Sequence, residues 1–283
     1  MAIEVINTVK EMQEYSDRLR REGRTIAFVP TMGFLHEGHL SLMREGRTRG
    51  DALVVSIFVN PTQFGPEEDL ETYPRDMESD LKLTQEESVD VVFSPDAEEL
   101  YPDAFQTYVK LEKLPNHLCG VSRPQFFRGV ATVVTKLFNI IKPHYAVFGQ
   151  KDYQQLAVIR KMALDLNMDI KIISAPTVRE ADGLAMSSRN SYLTPEQRPS
   201  ALTLYKSLKQ AQKLLESGIK DTVKIINAAS DLITSYPATA IDYISICDPE
   251  TLVDMKTIYR PALMALAIRV GKTRLIDNGR LNP

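Results

Sequence analysis

Apolar residues in this chain gather into short unbroken runs, and between the runs they recur at helical intervals. The runs "TIAFVP" (25–30), "ALVVSIFV" (52–59), "VDVVFSP" (89–95), "HYAVFG" (144–149) and "DIKIIS" (169–174) are of strand length and rich in β-branched and aromatic residues. They do not alternate strictly with polar positions, which predicts strands covered on both faces. A first helix is expected over about 8–22, where Val9, Met12, Tyr15 (or Ser16) and Leu19 follow helical spacing and Gly23 supplies a stop. Further helices are expected from "HLSLMREGRTRG" and over about 76–87, 130–142 and 152–167. Strands alternating with helices argue for an α/β fold, a doubly wound parallel sheet with helices on both faces.

Past Arg189 the pattern changes. "NSYLTPEQRPSA" is polar and holds two prolines. Thr194 reads as an N-cap, Pro195 as the first helical residue and Gln197 as the partner in a capping box. Helices are expected over roughly 195–217 and 220–235, followed by strands in "IDYISIC" (241–247), "ALMALAIRV" (262–270) and "TRLIDNG" (273–279). Helices first and strands after predict a smaller α+β domain, with the boundary near 185–195; the division adopted is 1–187 and 188–283.

Composition narrows the class. A length of 283 residues suits two domains. Hydrophobic residues are 43% and charged ones 25%, a globular mixture, and the net charge of -3 gives no field favouring a nucleic acid or an anionic membrane. A small anionic ligand needs only local positive charge. Cys119 and Cys247 are far apart and form no CxxC, so a disulfide framework is not expected and a reducing compartment fits. The N-terminal segment lacks the basic-then-apolar layout of a signal peptide, and no apolar run approaches membrane-spanning length. A cytoplasmic protein is expected.

In a doubly wound sheet ligands bind beyond the carboxyl ends of the strands, which directs attention to the segments after residues 30, 59, 149 and 174. The first holds "PTMGFLHEGH", with Gly33 and Gly38 permitting unusual backbone or close approach. A helix starting near His36–His39 would aim free N–H groups and a positive dipole end at an anion, with the imidazoles adding donors. A metal site and an ordinary strand-to-helix turn are the other readings. Zincin spacing would put the second His at position 40, which is Leu40, and no third ligand lies nearby; the GxGxxG and GxxxxGK[ST] fingerprints are both absent. After the second strand, Asn60 and Gln63 are uncharged groups suited to a ligand with hydroxyls or carbonyls, or to a solvated loop with Asn-Pro turn chemistry. Arg128, before Gly129, could fork onto a carboxylate or phosphate or cap a surface helix. In "GQKDYQQL", Gly149 permits a turn, Lys151 can reach a phosphate, Asp152 can cap the helix and Gln155 lies about one turn in. Ser187, Ser188 and Arg189 form a loop able to clamp a triphosphate, though such triplets are common.

Taken together these pieces resemble a known family. His36-Glu37-Gly38-His39 and Met186-Ser187-Ser188-Arg189 look like the paired signatures of the nucleotidyltransferase superfamily. "PTMGFLHEGH", "SIFVNPTQF", "RPQFFRGV", "FGQKDYQQL", "DGLAMSSRNSYL" and "RLIDN", in that order, closely resemble the pantoate–β-alanine ligase (pantothenate synthetase) family over nearly the whole chain. The resemblance implies a Rossmann-like domain that binds ATP and pantoate, a smaller C-terminal lid, a homodimer formed through the larger domain, and Mg²⁺ screening the charge of ATP. It implies that the pantoate carboxylate is adenylated and β-alanine then displaces AMP. Carried over by position, Met32, Gly33, Phe34, Leu35, His36, Glu37, Gly38 and His39 would contact ATP, His39 as proton donor at the phosphates. Gln63 would bind pantoate and β-alanine, and Gln155 pantoate, with Asn60 and Arg128 as further substrate contacts. Gly149, Gln150, Lys151 and Asp152 would hold ATP, Val178 would meet the adenine through its backbone, and Met186, Ser187, Ser188 and Arg189 would close on the triphosphate. Many relatives would have Glu at Gln150. Asp80 is a candidate metal ligand without a recognisable ligand set around it.

Two rival readings are weighed against this one. An aminoacyl-tRNA ligase would need an anticodon domain for which the chain has no room; a simple adenylyltransferase would transfer AMP to a phosphate and stop there, and β-alanine-dependent AMP release is the test that separates it from the ligase. A non-enzymatic nucleotide- or metal-binding protein leaves Gln63, Gln155 and the 186–189 loop unexplained.

Overall fold

From the N-terminus, Glu4–Ile6 forms β1, Val9–Arg21 α1, Ile26–Thr31 β2, Glu37–Arg47 α2 and Ala52–Ile57 β3 in a computed structural model that describes residues 3–65 and 68–283. Met77–Glu86 is α3, Val91–Phe93 β4, Ala97–Leu100 α4, Cys119–Ser122 α5, Phe126–Ile141 α6, Tyr145–Gly149 β5, Tyr153–Asp165 α7 and Lys171–Ala175 β6. The six strands form one parallel sheet in the order β1-β4-β3-β2-β5-β6. β3 is buried along its whole length, as its unbroken apolar run predicts. α1 begins where the Thr8 hydroxyl accepts the Glu11 N–H, and it buries Met12 and Leu19. β1 has no counterpart in the sequence reading, because three residues are too few to display a period.

From β2 the chain steps outward through β3 and β4, and the later strands β5 and β6 step the other way. The order therefore reverses between β2 and β5, and the crevice at their carboxyl ends is where such a sheet binds ligands. β2 runs in register with β3 from Ile26↔Ala52 to Thr31↔Ile57 and touches β5 at Ala27↔Tyr145 and Phe28↔Ala146. One apolar layer packs each face: Phe28, Phe138 and Phe148 lie in one, Val29, Met43 and Leu53 in the other.

The rest is α+β. Arg198–Ala201 is α8, Thr203–Glu216 α9, Thr222–Thr234 α10, Thr239–Cys247 β7, Ala262–Val270 β8 and Thr273–Leu281 β9, the strands forming an antiparallel sheet with β8 at its centre. The helix expected from Pro195 starts instead at Arg198, and Pro195–Gln197 form a turn. A helix begun at Pro195 would need the Pro199 N–H to bond the Pro195 carbonyl, and Pro199 has none; placed in the first turn of α8, Pro199 is harmless. Half of the expected capping box survives, the Thr194 N–H donating to Gln197 Oε1 at 3.1 Å.

The chain divides into two compact units. One holds the chain up to Glu112 with Arg123–Gln150 and Gln155–Pro176; the other holds Lys113–Ser122, Lys151–Gln154 and Thr177–Pro283. The segment 177–187, grouped with the first domain by sequence, packs with the second unit through Arg179, which pairs with Asp277 and lies over Tyr205.

Candidate active site

The turn after β2 is built from its backbone outward. Gly33 and Phe34 both take positive φ, +82° and +51°. Thr31 Oγ1 donates to the Ser56 carbonyl at 2.7 Å and accepts the Gly33 N–H at 3.2 Å. Asp80, 2% exposed on α3, accepts the Phe34 N–H on one oxygen at 2.8 Å and the Leu35 N–H on the other at 2.7 Å. A Cβ at Gly33 would meet Asp80 Oδ2 at 2.9 Å, so glycine serves both the conformation and the close approach. Burial pushes the Asp80 carboxyl up and the two N–H bonds pull it back, with burial the larger effect.

The two histidines open α2 together. His36 is the N-cap: its Nδ1 accepts the Gly38 N–H at 3.1 Å, while His39 Nδ1 accepts the His36 N–H at 3.3 Å, a reciprocal capping box made of imidazoles. The ring centroids are 4.0 Å apart. A nitrogen that accepts carries no proton, so each neutral ring holds its proton on Nε2. The helix start expected from sequence is present, but its donors differ from the expectation. The Gly38 N–H is taken by a ring and the His39 N–H by the His36 carbonyl at 2.7 Å, so the histidines cap α2 themselves. Glu37 is turned to Arg44, whose guanidinium holds its carboxyl below the usual range.

Beyond β3, Asn60 Nδ2 donates to Gln63 Oε1 at 3.1 Å and to the Gly129 carbonyl at 3.2 Å, and its Oδ1 accepts from the Thr62 hydroxyl at 2.9 Å. Asn60 is 1% exposed. Its amide is thus engaged inside the fold, and it stands behind Gln63. Gln63 Nε2 lies 2.8 Å from Met32 Sδ, linking the loops after β2 and β3. Gly129, in the first turn of α6, lets the 61–63 turn lie against the helix, since a Cβ there would come 2.3 Å from the Thr62 carbonyl oxygen. Arg123 donates to the Gln63 carbonyl at 3.0 Å and pairs with Glu68. Arg128 is exposed and stacks over Tyr108, its guanidinium carbon 4.4 Å from the ring centre. Gly149 ends β5 and Gln150 opens a short 3₁₀ turn, with Gln150 Nε2 3.4 Å from Ser174 Oγ; Gln155 is half-buried in the first turn of α7.

The remaining candidates belong to the second unit. Lys151 Nζ lies 3.6 Å from Asp152 Oδ2. The Met186 N–H donates to the Val178 carbonyl at 3.0 Å, so two predicted nucleotide contacts are joined by their backbones. Ser187 caps the short 3₁₀ turn Ser188–Tyr192 by accepting the Arg189 N–H at 3.3 Å. Ser188 is buried. Asn190 braces the loop through Glu180 and the Ala185 carbonyl.

Sequence reasoning did not find the roles of Thr31, Asp80, Arg123 or Asn190. One signal was available for Asp80: it shares the buried side of α3 with Thr84, at i and i+4, and a carboxylate on a buried stripe needs partners.

The sequence matches the pantoate–β-alanine ligase family over residues 4–280. It is 61% identical over 281 residues to a pantothenate synthetase of Desulfatibacillum aliphaticivorans, covering 99% of this chain and 100% of that one. It is 57% identical over 274 residues to the pantothenate synthetase of Thermotoga neapolitana, covering 97% and 98%. Among solved structures, the pantothenate synthetase of Thermus thermophilus superposes with a TM-score of 0.94 at 43% identity, over 99% of this chain and 100% of that one. The pantoate–β-alanine ligase of Francisella tularensis, solved with β,γ ATP and β-alanine, gives 0.82 at 34% identity, over 98% and 97%.

Proposed function

The chain belongs to the pantoate–β-alanine ligase family, and from that premise we propose how its own residues divide the work. The enzyme uses ATP to join pantoate to β-alanine. The pantoate carboxylate attacks the α-phosphorus, the bond to the β-phosphate breaks, and pyrophosphate leaves with the electron pair. The β-alanine amine then attacks the acyl carbon, AMP departs, and the amine proton is released. A carboxylate is a poor acyl donor until adenylation supplies a leaving group, so the protein's task is positioning and charge stabilisation.

The observation that carries this reading is the histidine capping box. With both Nδ1 atoms bound to backbone N–H groups, His39 presents an Nε2 proton to the phosphates, and His36 shapes the pocket beside it. Met32 to His39 and Gly149 to Asp152 hold ATP, Lys151 acting at the phosphates; Val178 meets the adenine and Met186 to Arg189 the triphosphate. Gln63 receives pantoate and β-alanine, its amide oriented by Asn60 and Met32. Gln155 and Arg128 complete the pantoate contacts.

Mg²⁺ enters with ATP as part of the substrate. Among the described residues no cluster of three His, Cys, Asp or Glu side chains could hold an ion, and each Asp80 oxygen accepts a backbone N–H. A homodimer and a cytoplasmic location complete the reading, on the family resemblance; among the described residues no helix is long and apolar enough to cross a membrane.

Rapid-quench measurement of pyrophosphate from ATP and pantoate, followed by AMP release on adding β-alanine, tests the assignment. We expect His39→Ala to slow the first step by about 10²–10³, the usual effect of losing one positioned donor, and to leave release from preformed pantoyl adenylate near wild type. Equal slowing of both steps would refute the role given to His39.

A further inference from the structure

The segment Arg274–Asn278, singled out in the sequence, has no part in the chemistry above. Two of its residues make contacts that bear on that chemistry. Asp277 lies in β9 with its side chain 1% exposed and receives the Arg179 guanidinium in a fork, Nη1 to Oδ2 at 2.7 Å and Nη2 to Oδ1 at 3.0 Å. Arg179 also donates to the Gly183 carbonyl at 3.0 Å and lies over Tyr205. Gly183, at φ +100°, admits that ring, since a Cβ there would come 2.3 Å from it. Arg179 bridges to Ala185 and Met186 bonds to Val178, so the turn that delivers Met186 to Arg189 is fastened at its base to Asp277.

The next residue reaches Lys151. Asn278 Nδ2 donates to the Lys151 carbonyl at 2.7 Å, and its own N–H donates to Asp277 Oδ1 at 2.8 Å. Successive strand residues point to opposite faces, so adjacent residues of one strand serve two separate segments. That strand is itself held in the sheet, with Leu266↔Asp277 and Ala265↔Asn278 in register.

We infer that Asp277 and Asn278 are positioning residues that hold Lys151 and the 186–189 loop in one frame, so that the two sets of phosphate contacts are placed by a single strand. This rests on the assignment of Lys151 and the loop to ATP. The backbone bond from Asn278 sets where the Lys151 side chain begins; the fork from Asp277 sets where the loop begins. A guanidinium paired bidentately with a buried carboxylate fixes orientation as well as distance.

Asn278→Ala in the full-length enzyme tests the first half, with Asn278→Asp as an isostere that cannot donate and Asn278→Ser in reserve should alanine fail to fold. Pyrophosphate formation is expected to slow about three- to tenfold, as for one lost hydrogen bond, with a raised KM for ATP and an unchanged rate of β-alanine attack on preformed adenylate. In a Lys151→Ala background the same change is expected to add no further loss, because Asn278 acts through Lys151. Losses that multiply, or equal slowing of both steps, would overturn the inference alone. Full-rate adenylation by Lys151→Ala itself would overturn the assignment of Lys151 and the inference with it. For the second half, Asp277→Asn, or Arg179→Lys if the buried change prevents folding, is expected to speed amide exchange over 178–189; unchanged exchange there would overturn it.

Discussion

Asp80 Oδ1 accepts the Leu35 N–H at 2.7 Å, across 45 positions of sequence. The companion oxygen takes Phe34, and together they hold the turn that leads into the histidine pair. Asp80→Asn replaces one acceptor by a donor and sets it against a backbone N–H. A buried donor left unsatisfied costs about 1–3 kcal/mol, and we expect that loss in denaturant unfolding together with slower adenylation and a higher KM for ATP.

The ionisation of Asp80 gives opposite signs for stability and activity. Burial raises its pKa above the ordinary 3.8. The folded state therefore binds this proton more readily than the unfolded chain, and the group's contribution to stability is fully present below 3.8 and is lost as pH rises through the raised value. Activity is expected to need the ionised form, with two acceptors, and to fall as pH drops through the same value. Unfolding and single-turnover adenylation, compared for wild type and Asp80→Asn across this range, should show the wild type losing its relative stability as its activity rises.

His36 has two tasks that substitution can separate. Asparagine is a strong N-cap, so His36→Asn should keep α2 and the melting temperature while removing one ring donor. His36→Ala should lose the cap as well, at about 1 kcal/mol. Circular dichroism melts beside pyrophosphate kinetics distinguish these outcomes; equal destabilisation by both variants would contradict the capping role.

Gly129→Ala improves helix propensity on paper yet is expected to impair the enzyme. The added Cβ would sit 2.3 Å from the Thr62 carbonyl oxygen, so the 61–63 turn must move and carry Gln63 with it. Forced overpacking of this kind typically costs about 1–3 kcal/mol. The expected signature is a raised KM for pantoate and for β-alanine with a smaller change in KM for ATP.

If the 186–189 loop closes on the triphosphate, ATP should slow amide exchange over 185–195. Exchange mass spectrometry with and without the nucleotide reads this directly. No change over that segment would count against closure.

Much of the scaffold is legible in the chain. Five apolar runs mark five of the six parallel strands, most plainly at β3 and β4, where burial along the whole strand leaves few polar positions to alternate with. Pro199 is visible too, yet the cap signal at Thr194 points to a helix from Pro195; that signal takes no account of the N–H that Pro199 lacks. Asn60 shows the limit at the site. Its type and its place at a strand end suit a substrate contact, and the chain does not report that it is 1% exposed with its amide bonded to Gln63, Thr62 and Gly129.

The sequence by itself determined the α/β class, the passage to an α+β second part, the strand ends where a ligand belongs, and the family through motifs in fixed order. These are properties of neighbouring residues: period, run length and spacing report burial and turning within a few positions. Only the tertiary structure decided which ring nitrogen of His39 carries the proton, why Gly33 meets Asp80, and that Asn278 reaches Lys151. Each of those depends on hydrogen bonds whose direction is set by folded backbone, mostly between residues tens of positions apart, and no local pattern in the chain records where such partners meet.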